Sequence, residues 1–353
     1  MRVFYEKIQI IYDETLRKIK EHIGENAIYL IVDETTDVCK RYVLNILVGK
    51  IDGTYAKPML LITTYLEKTN NTTVQQAVHK ACVLLFGADI PFEKVWFLIS
   101  DQAPYMLKAG SNLKQIFTNL KHITCVIHAL NRVCEFIKDQ HDTINELISA
   151  MKAALLKSNA RRQIYSEITK LRLPPDVIEV RWNLWLNAAF FYAENFSAIK
   201  LFVAALQIDS KSVEKLKKCI DSPELEAELF EVQKYSFLTK AITKLEKHGL
   251  TVQEQLAILN DVKSKLSGFE LAKLEESLSK NPDVNFYENM PVDQRIKCKY
   301  MPMTSVDVKR SFSIYRYILS DRRHSLSESN LAMLNVIQYN NFMQFEEDEE
   351  NAH

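Results

Sequence analysis

Short apolar runs broken by polar turns dominate the first third of the chain, and beyond it the hydrophobic period changes from two to 3.6. Residues 27–32, 42–51 and 58–66 read as three strands joined by polar segments that include Asp52-Gly53. An amphipathic helix over roughly residues 4–22 precedes them. After the third strand, Thr73-Val74-Gln75-Gln76 begins a helix with apolar positions at Val78, Ala81, Cys82 and Leu85, and Gly87 stops it. Residues 95–100 then predict a fourth strand, 105–117 a helix and 122–127 a short fifth strand. The order β-β-β-α-β-α-β predicts a mixed sheet with helices covering it.

Glycine is absent between Gly110 and Gly249, a stretch rich in Leu, Ala, Lys and Glu, so turns are few and the middle of the chain reads as helical. Residues 129–158 suit one or two long helices, and Leu173-Pro174-Pro175 breaks the pattern. An all-helical array follows Val180-Arg181-Trp182. In it Ser222-Pro223 starts one helix, Gly249 suits a helix end, Thr251 and Glu254 have capping-box spacing, and Gly268 is expected to close the next helix. The tail Glu346-Glu347-Asp348-Glu349-Glu350 reads as a solvated end.

Composition adds bounds. A chain of 353 residues with 47% hydrophobic content calls for two or three cores. With 45 basic and 45 acidic residues and a pI near 7.1, no global field draws the chain to nucleic acid, so any such contact must use local patches. Six irregularly spaced cysteines suggest reduced thiols. The first residues lack a secretory pattern, and no apolar run reaches the roughly 18 residues a membrane span needs. A soluble protein of the nucleus or cytoplasm, with no membrane partner, is expected.

The candidate chemistry lies at two strand ends. The first and fourth strands each run into an aspartate, Asp33 and Asp101, and paired carboxylates on neighbouring strands can hold a divalent cation for phosphodiester chemistry. Glu34 and Asp37 beside Asp33 are read as loop or supporting groups. Cys125, His128, Cys134 and His141 invite a zinc reading, but their spacing fits no finger pattern.

The runs Val32-Asp33-Glu34-Thr35-Thr36-Asp37, Ile99-Ser100-Asp101-Gln102-Ala103, Cys125-Val126-Ile127-His128-Ala129-Leu130-Asn131, Val180-Arg181-Trp182 and Arg310-Ser311-Phe312-Ser313 occur in the order found in hAT-superfamily transposases, which the chain resembles over about residues 27–340. Ser320-Asp321-Arg322-Arg323-His324-Ser325-Leu326 looks like that family's C-terminal dimerisation segment. The resemblance implies an α/β, ribonuclease H-like fold: a mixed five-stranded sheet with flanking helices, interrupted by a large all-α insertion. On that basis residues 1–26 form an N-terminal helix, 27–180 the first part of the core, 181–300 the insertion, 301–345 the returning core helix and dimerisation segment, and 346–353 the acidic tail.

The resemblance also assigns roles. Asp33 and Asp101 become catalytic carboxylates and ligands of Mg²⁺ or Mn²⁺, while His128, Arg181, Trp182 and Arg310 become DNA contacts. Further basic residues at Lys152, Lys157, Arg161, Arg162, Lys211, Lys215, Lys217, Lys218, Arg322 and Arg323 offer phosphate contacts. The third acidic ligand expected from the family, the Glu of a Glu-Arg-x-Phe-Ser motif, falls on Lys309. An ammonium cannot ligate a dication and opposes it. Asp307, about 200° around the helix, is expected to face away and not to substitute. The reading is therefore a transposable-element-derived protein impaired in cleavage and strand transfer, acting in DNA association or dimerisation. The alternative is an active metal-dependent nuclease that recruits a carboxylate from elsewhere.

Members of this family usually carry an upstream BED-type zinc finger, and the first residues show no Cys/His framework for one, so sequence-specific end recognition is not expected of this chain by itself. The apolar segment Leu331-Ala332-Met333-Leu334-Asn335-Val336-Ile337 needs burial on more than one side. The resemblance places it on the core and in a homo-oligomer interface.

Overall fold

A computed structural model describes residues 2–156, 158–176, 182–319 and 326–351, without the side chains of 2–5, 182 and 343–351. Its elements in chain order open with α1 (Arg2–Ile23), β1 (Ala27–Thr36), β2 (Tyr42–Ile51), β3 (Met59–Leu66), α2 (Asn71–Phe86) and β4 (Val95–Ser100). α3 (Pro104–Leu113), β5 (Lys121–Thr124) and α4 (Val126–Lys138) follow. The strands form one sheet in the order β3-β2-β1-β4-β5, with β1, β2 and β3 antiparallel and β4 and β5 parallel to β1. A three-strand meander continued by two parallel strands on the far side of β1 is the ribonuclease H-like arrangement.

Period-two alternation divides the sheet into two buried faces. Ile28, Leu30 and Val32 of β1, with Leu44, Ile46 and Val48 of β2, enter a core that also holds Ile19 and Ile23 of α1, Val74, Val78 and Ala81 of α2, and Met106 and Leu113 of α3. Tyr29, Ile31 and Asp33 alternate to the opposite face. There the chain returns as α15 (Val306–Ile318), whose buried Val308, Ser311, Phe312 and Tyr315 lie at helical spacing. Asn45, which stands opposite Asp33 in the β1–β2 ladder, donates through Nδ2 to Ser311 Oγ at 2.7 Å.

Two glycines make room for large rings on these strands. A Cβ on Gly49 would stand 2.1 Å from Tyr29 Cζ across the ladder, and one on Gly110 of α3 would stand 2.1 Å from Nδ1 of His122. The His122 ring is fully buried and held through Nε2 by Ser100 Oγ at 2.8 Å, so it has little room to yield.

The chain divides into two units: Met1–His128 with Glu246–Ala257 and Leu278–His353, and Ala129–Leu245 with Ile258–Ser277. The helical unit therefore begins at residue 129, not at 181, and residues 246–257 and 278–300, expected within the insertion, belong to the sheet unit. The reason is local. Once β5 ends, α4 begins at Val126, and among the described residues no strand follows it. Within the first unit, Val252 N–H donates to the Lys299 carbonyl at 2.8 Å, and Gln255 bonds the backbone of Met301 and Met303. Within the second, α5 (Asp142–Leu156), α7 (Trp182–Glu194), α9 (Lys211–Ile220) and α10 (Pro223–Val232) bury Met151, Trp185, Tyr192, Leu216 and Leu229.

Other boundaries shift for identifiable reasons. β1 runs three residues beyond Asp33 because Tyr42, Val43 and Leu44 continue the ladder to Thr36. The expected fifth strand over 122–127 ends at Thr124, where the Val126 N–H turns to the Met303 carbonyl at 3.0 Å and α4 starts. α3 ends at Leu113, short of the expected 117. Gly268, at φ +58°, opens α13 (Gly268–Ser279), whereas α12 (Val252–Lys265) has already ended. The capping box at Thr251 and Glu254 is present in both directions. α16 (Glu328–Asn351) covers the outer edge of β3: Asn340 accepts from the Leu60 N–H at 3.0 Å and donates to the Leu60 carbonyl at 2.9 Å, so one side chain stands in for a neighbouring strand. No helix among the described residues is long and apolar enough to cross a membrane.

Gly110→Ala should destabilise the protein by about 1–3 kcal/mol, because the new methyl group enters a closed space beside a ring that cannot move. Urea denaturation of the variant should show a lower midpoint at unchanged slope; an unchanged midpoint would mean the ring relaxes freely.

Candidate metal-site remnant on the sheet

Strand register sets the centre of the site. β1 and β4 are parallel with Ile31 opposite Ile99, so two residues further on Asp33 and Asp101 are level with each other on the same face. Asp101 leaves β4 in a turn in which its Oδ1 accepts the Ala103 N–H at 3.1 Å. Asp33 Oδ1 accepts from the Glu34 N–H at 3.0 Å.

Three further groups reach this pair. His128 lies in the first turn of α4, where its N–H bonds the Cys125 carbonyl at 3.1 Å, and its imidazole interacts with the Cys125 thiol. Lys309 comes from α15. Ser305, just before that helix, donates its N–H to Cys125 Sγ at 3.2 Å, which ties the start of α15 to the start of α4. Asp33, Asp101, Cys125, His128 and Lys309 thus meet on one face of the sheet.

The electrostatics follow. Burial is the main force on Asp33 and lifts its carboxyl to about 7; Asp101 adds to the rise, while His128 and Lys309 oppose it. Burial also works to raise the Cys125 thiol, but His128, Lys309 and the Ser305 N–H outweigh it and bring the thiol down to about 6. The His128 imidazole, disfavoured as a cation by burial, is carried above its usual value by Cys125.

The acids beside Asp33 have other duties. Glu34 points away from this cluster and accepts from Thr69 Oγ1 at 2.8 Å and from Tyr105 Oη at 2.8 Å. Asp37 is buried and binds the Arg41 guanidinium at 2.7 Å, the Tyr315 hydroxyl at 2.9 Å and two backbone N–H groups of its own turn, so it anchors the end of α15. The sequence reads Asp37 as a loop or supporting group, and the structure makes it an anchor of α15. Its four-residue spacing to Arg41 was the only local signal, and Tyr315 lies too far along the chain to be inferred.

Asp307 does not reach the site. Its Oδ1 pairs with Arg310 Nη1 at 2.5 Å and lies 3.6 Å from His248 Nδ1. Arg310, expected as a DNA contact, is committed to Asp307 and to the Glu246 carbonyl at 3.0 Å. Arg181 lies outside the described residues, as do Lys157, Arg322, Arg323 and most of the expected dimerisation segment; Trp182 begins α7. Lys152, Arg161, Lys215 and Lys218 form ion pairs with Asp176, Asp209, Glu146 and Glu214, and Arg162 bonds the carbonyls of Leu155 and Leu156. His141 Nδ1 is engaged with the Ile137 carbonyl at 2.7 Å.

A metal was tested against these residues. Among the described residues no group of three or more His, Cys, Asp or Glu side chains is placed to hold a metal ion. Two hard carboxylates are present without a third acidic side chain beside them among the described residues, so the donor set does not fit the two-metal chemistry that the carboxylates suggest.

Comparison with known proteins gives three findings. Residues 4–154, less than half of the chain, match the family model described as Domain of unknown function (DUF659). No curated protein matches. Among solved structures, the chain is similar to the one titled "Drosophila P element transposase strand transfer complex", at 12% identity and a TM-score of 0.42, covering 92% of this chain and 79% of that one.

A carboxyl lifted to about 7 in the folded state keeps a proton that the unfolded chain releases near 3.8. Folding then binds a proton across that window, so Asp33 lowers stability progressively as pH rises from about 4 to 7. Asp33→Asn should remove this loss. Relative to wild type the variant should gain on the order of 2–4 kcal/mol between pH 4 and pH 8, measured by denaturant unfolding at both values. An equal difference at the two pH values would show that Asp33 titrates normally.

Proposed function

We propose that this chain is a transposase-related protein that associates with DNA and has lost metal-dependent cleavage and strand transfer. One observation carries the reading: α15 returns to the sheet beside Asp33 and Asp101, where a final acidic ligand belongs, and brings Lys309. The match of residues 4–154 to a hAT-family domain and the ribonuclease H-like strand order support the transposase relationship. The pairing of Asp307 with Arg310 weighs against the alternative of a recruited carboxylate. A nuclear location follows from DNA association and belongs to the same proposal.

For self-association through the C-terminal region, α16 gives a mixed picture. Leu331, Val336 and Tyr339 are buried within the chain's own sheet unit, while Phe342 is exposed. A homo-oligomer would therefore use the surface of this helix beyond those positions.

Two measurements test the proposal. Incubated with hairpin or nicked duplex DNA and Mn²⁺, the chain should show no cleavage above a metal-free control. Cleavage that Asp33→Ala abolishes would instead establish an active nuclease. In a binding titration, affinity for duplex DNA should fall steeply with salt, about a thousandfold or more between 50 and 200 mM for six or more phosphate contacts. Absent or salt-independent binding would remove DNA association from the reading.

A further inference from the structure

We propose that the helical unit holds a binding site for a small neutral molecule, about one apolar ring in size with a single hydrogen-bond acceptor, in a cavity walled by α5, α7 and the segment Leu173-Pro174-Pro175-Asp176. The inference concerns the helical unit alone and does not depend on the reading of Asp33 and Asp101.

The cavity has a volume of about 160 Å³. Its lining is largely aliphatic: Ile148, Met151 and Leu155 come from one face of α5, and Leu173, Pro174 and Pro175 supply a second wall. The two prolines fix their own φ, so that wall is formed before any ligand arrives. A cavity of about 150 Å³ lined by apolar side chains accommodates one benzene ring. Size and lining together select a molecule of that order.

One polar group in the lining is unused. Tyr192 of α7 is 2% exposed and lines the cavity, yet its hydroxyl bonds no group among the described residues; burial and the neighbouring Tyr165 are all that act on its ionisation. Burial holds this phenol above its usual range, so at neutral pH the oxygen keeps its proton and can donate it to an acceptor. Tyr165 of α6 (Asn159–Thr169) supplies the contrast: it is as deeply buried, and its hydroxyl donates to the Arg172 carbonyl at 3.2 Å. A buried hydroxyl without a partner is a cost that folded proteins rarely carry. Here the unused donor borders a space of ligand size.

The charges around the cavity favour a neutral occupant. Arg162 donates to the Leu155 and Leu156 carbonyls at 2.9 Å each, where its charge answers the negative end of α5. Lys152 and Asp176 pair at 2.6 Å and, being largely exposed, stand at the mouth. An ion entering the aliphatic interior would lose its hydration without finding an unmatched partner there. A neutral molecule leaves both arrangements as they are.

Ligand-observed NMR titrations of the whole chain at pH 7.5 test the site, with phenol, toluene and benzoate as probes on wild type, Tyr192→Phe, Leu156→Trp and Leu173→Trp. Phenol should bind wild type saturably with a Kd of about 1 mM or tighter, within reach of a ligand of about seven heavy atoms. Benzoate should bind about tenfold more weakly or not at all. Tyr192→Phe should weaken phenol about fivefold or more and leave toluene within about twofold of wild type. Leu156 is 60% exposed and Leu173 49% exposed, so tryptophan at either rim position is compatible with folding and should block both probes by filling the mouth.

Absence of saturable phenol binding below about 10 mM would overturn the proposal. So would a phenol affinity unchanged by Tyr192→Phe, or unchanged by both tryptophan variants, since binding would then lie elsewhere. Benzoate bound as tightly as phenol would overturn it too. Should one tryptophan variant fail to fold by circular dichroism, the other decides. None of these measurements involves DNA or metal, so their failure leaves the proposed function standing.

Discussion

The hydrogen bond from Asn45 to Ser311 joins β2 to a helix 266 residues further along the chain, and the site depends on this return. α15 packs on the odd-numbered face of β1 and β2, which carries the buried Tyr29, Ile31, Val43 and Leu47. Burying four such side chains is worth on the order of 1.5–3 kcal/mol each. The helix is therefore required by the sheet for stability, whatever chemistry it carries. The residues that bind α15 to the sheet are Val308, Ser311, Phe312 and Tyr315, and position 309 lies beside that stripe. Position 309, only partly buried, is free of the packing constraint that fixes its neighbours.

The polar groups on this face differ in how fully they are satisfied. At one end Asp37, Arg41, Tyr65 and Tyr315 form a fully connected network, with the Arg41 guanidinium also 5.1 Å from the Tyr65 ring centroid. Every acceptor there has a donor, so the carboxylate of Asp37 is held below the usual range despite its burial. A few residues away Asp33 has only the Glu34 N–H as a hydrogen-bond donor and is raised. Two aspartates four residues apart on one strand and its turn thus have opposite shifts. The difference lies in the number of donors each carboxylate accepts from.

Much of this was legible in the sequence because it is local. The three-strand meander, α2 with its stop at Gly87, β4 and the capping box at Thr251 are written in residues a few positions apart, and the structure follows them closely. The level pairing of Asp33 and Asp101 was implied by two strands ending alike, though the ladder carries β1 on to Thr36. The boundary at residue 129 was not legible. An apolar run such as Cys125-Val126-Ile127 suits a strand or a helix equally, and the choice was made by the backbone of Met303, which no local pattern announces. Arg310 was misread for the same reason: a basic residue looks like a phosphate contact until its partners, Asp307 and the Glu246 carbonyl, come into view.

A lysine and a divalent ion differ in ways that matter for what such a fold can become. A metal brings charge, coordination geometry and an activated water, and it leaves with a chelator. An ammonium on a four-carbon stem brings only charge, and it is covalently retained. The fold itself is held by contacts within the chain: the sheet, the bond of α15 to β2 and the cover of α16 on the edge of β3.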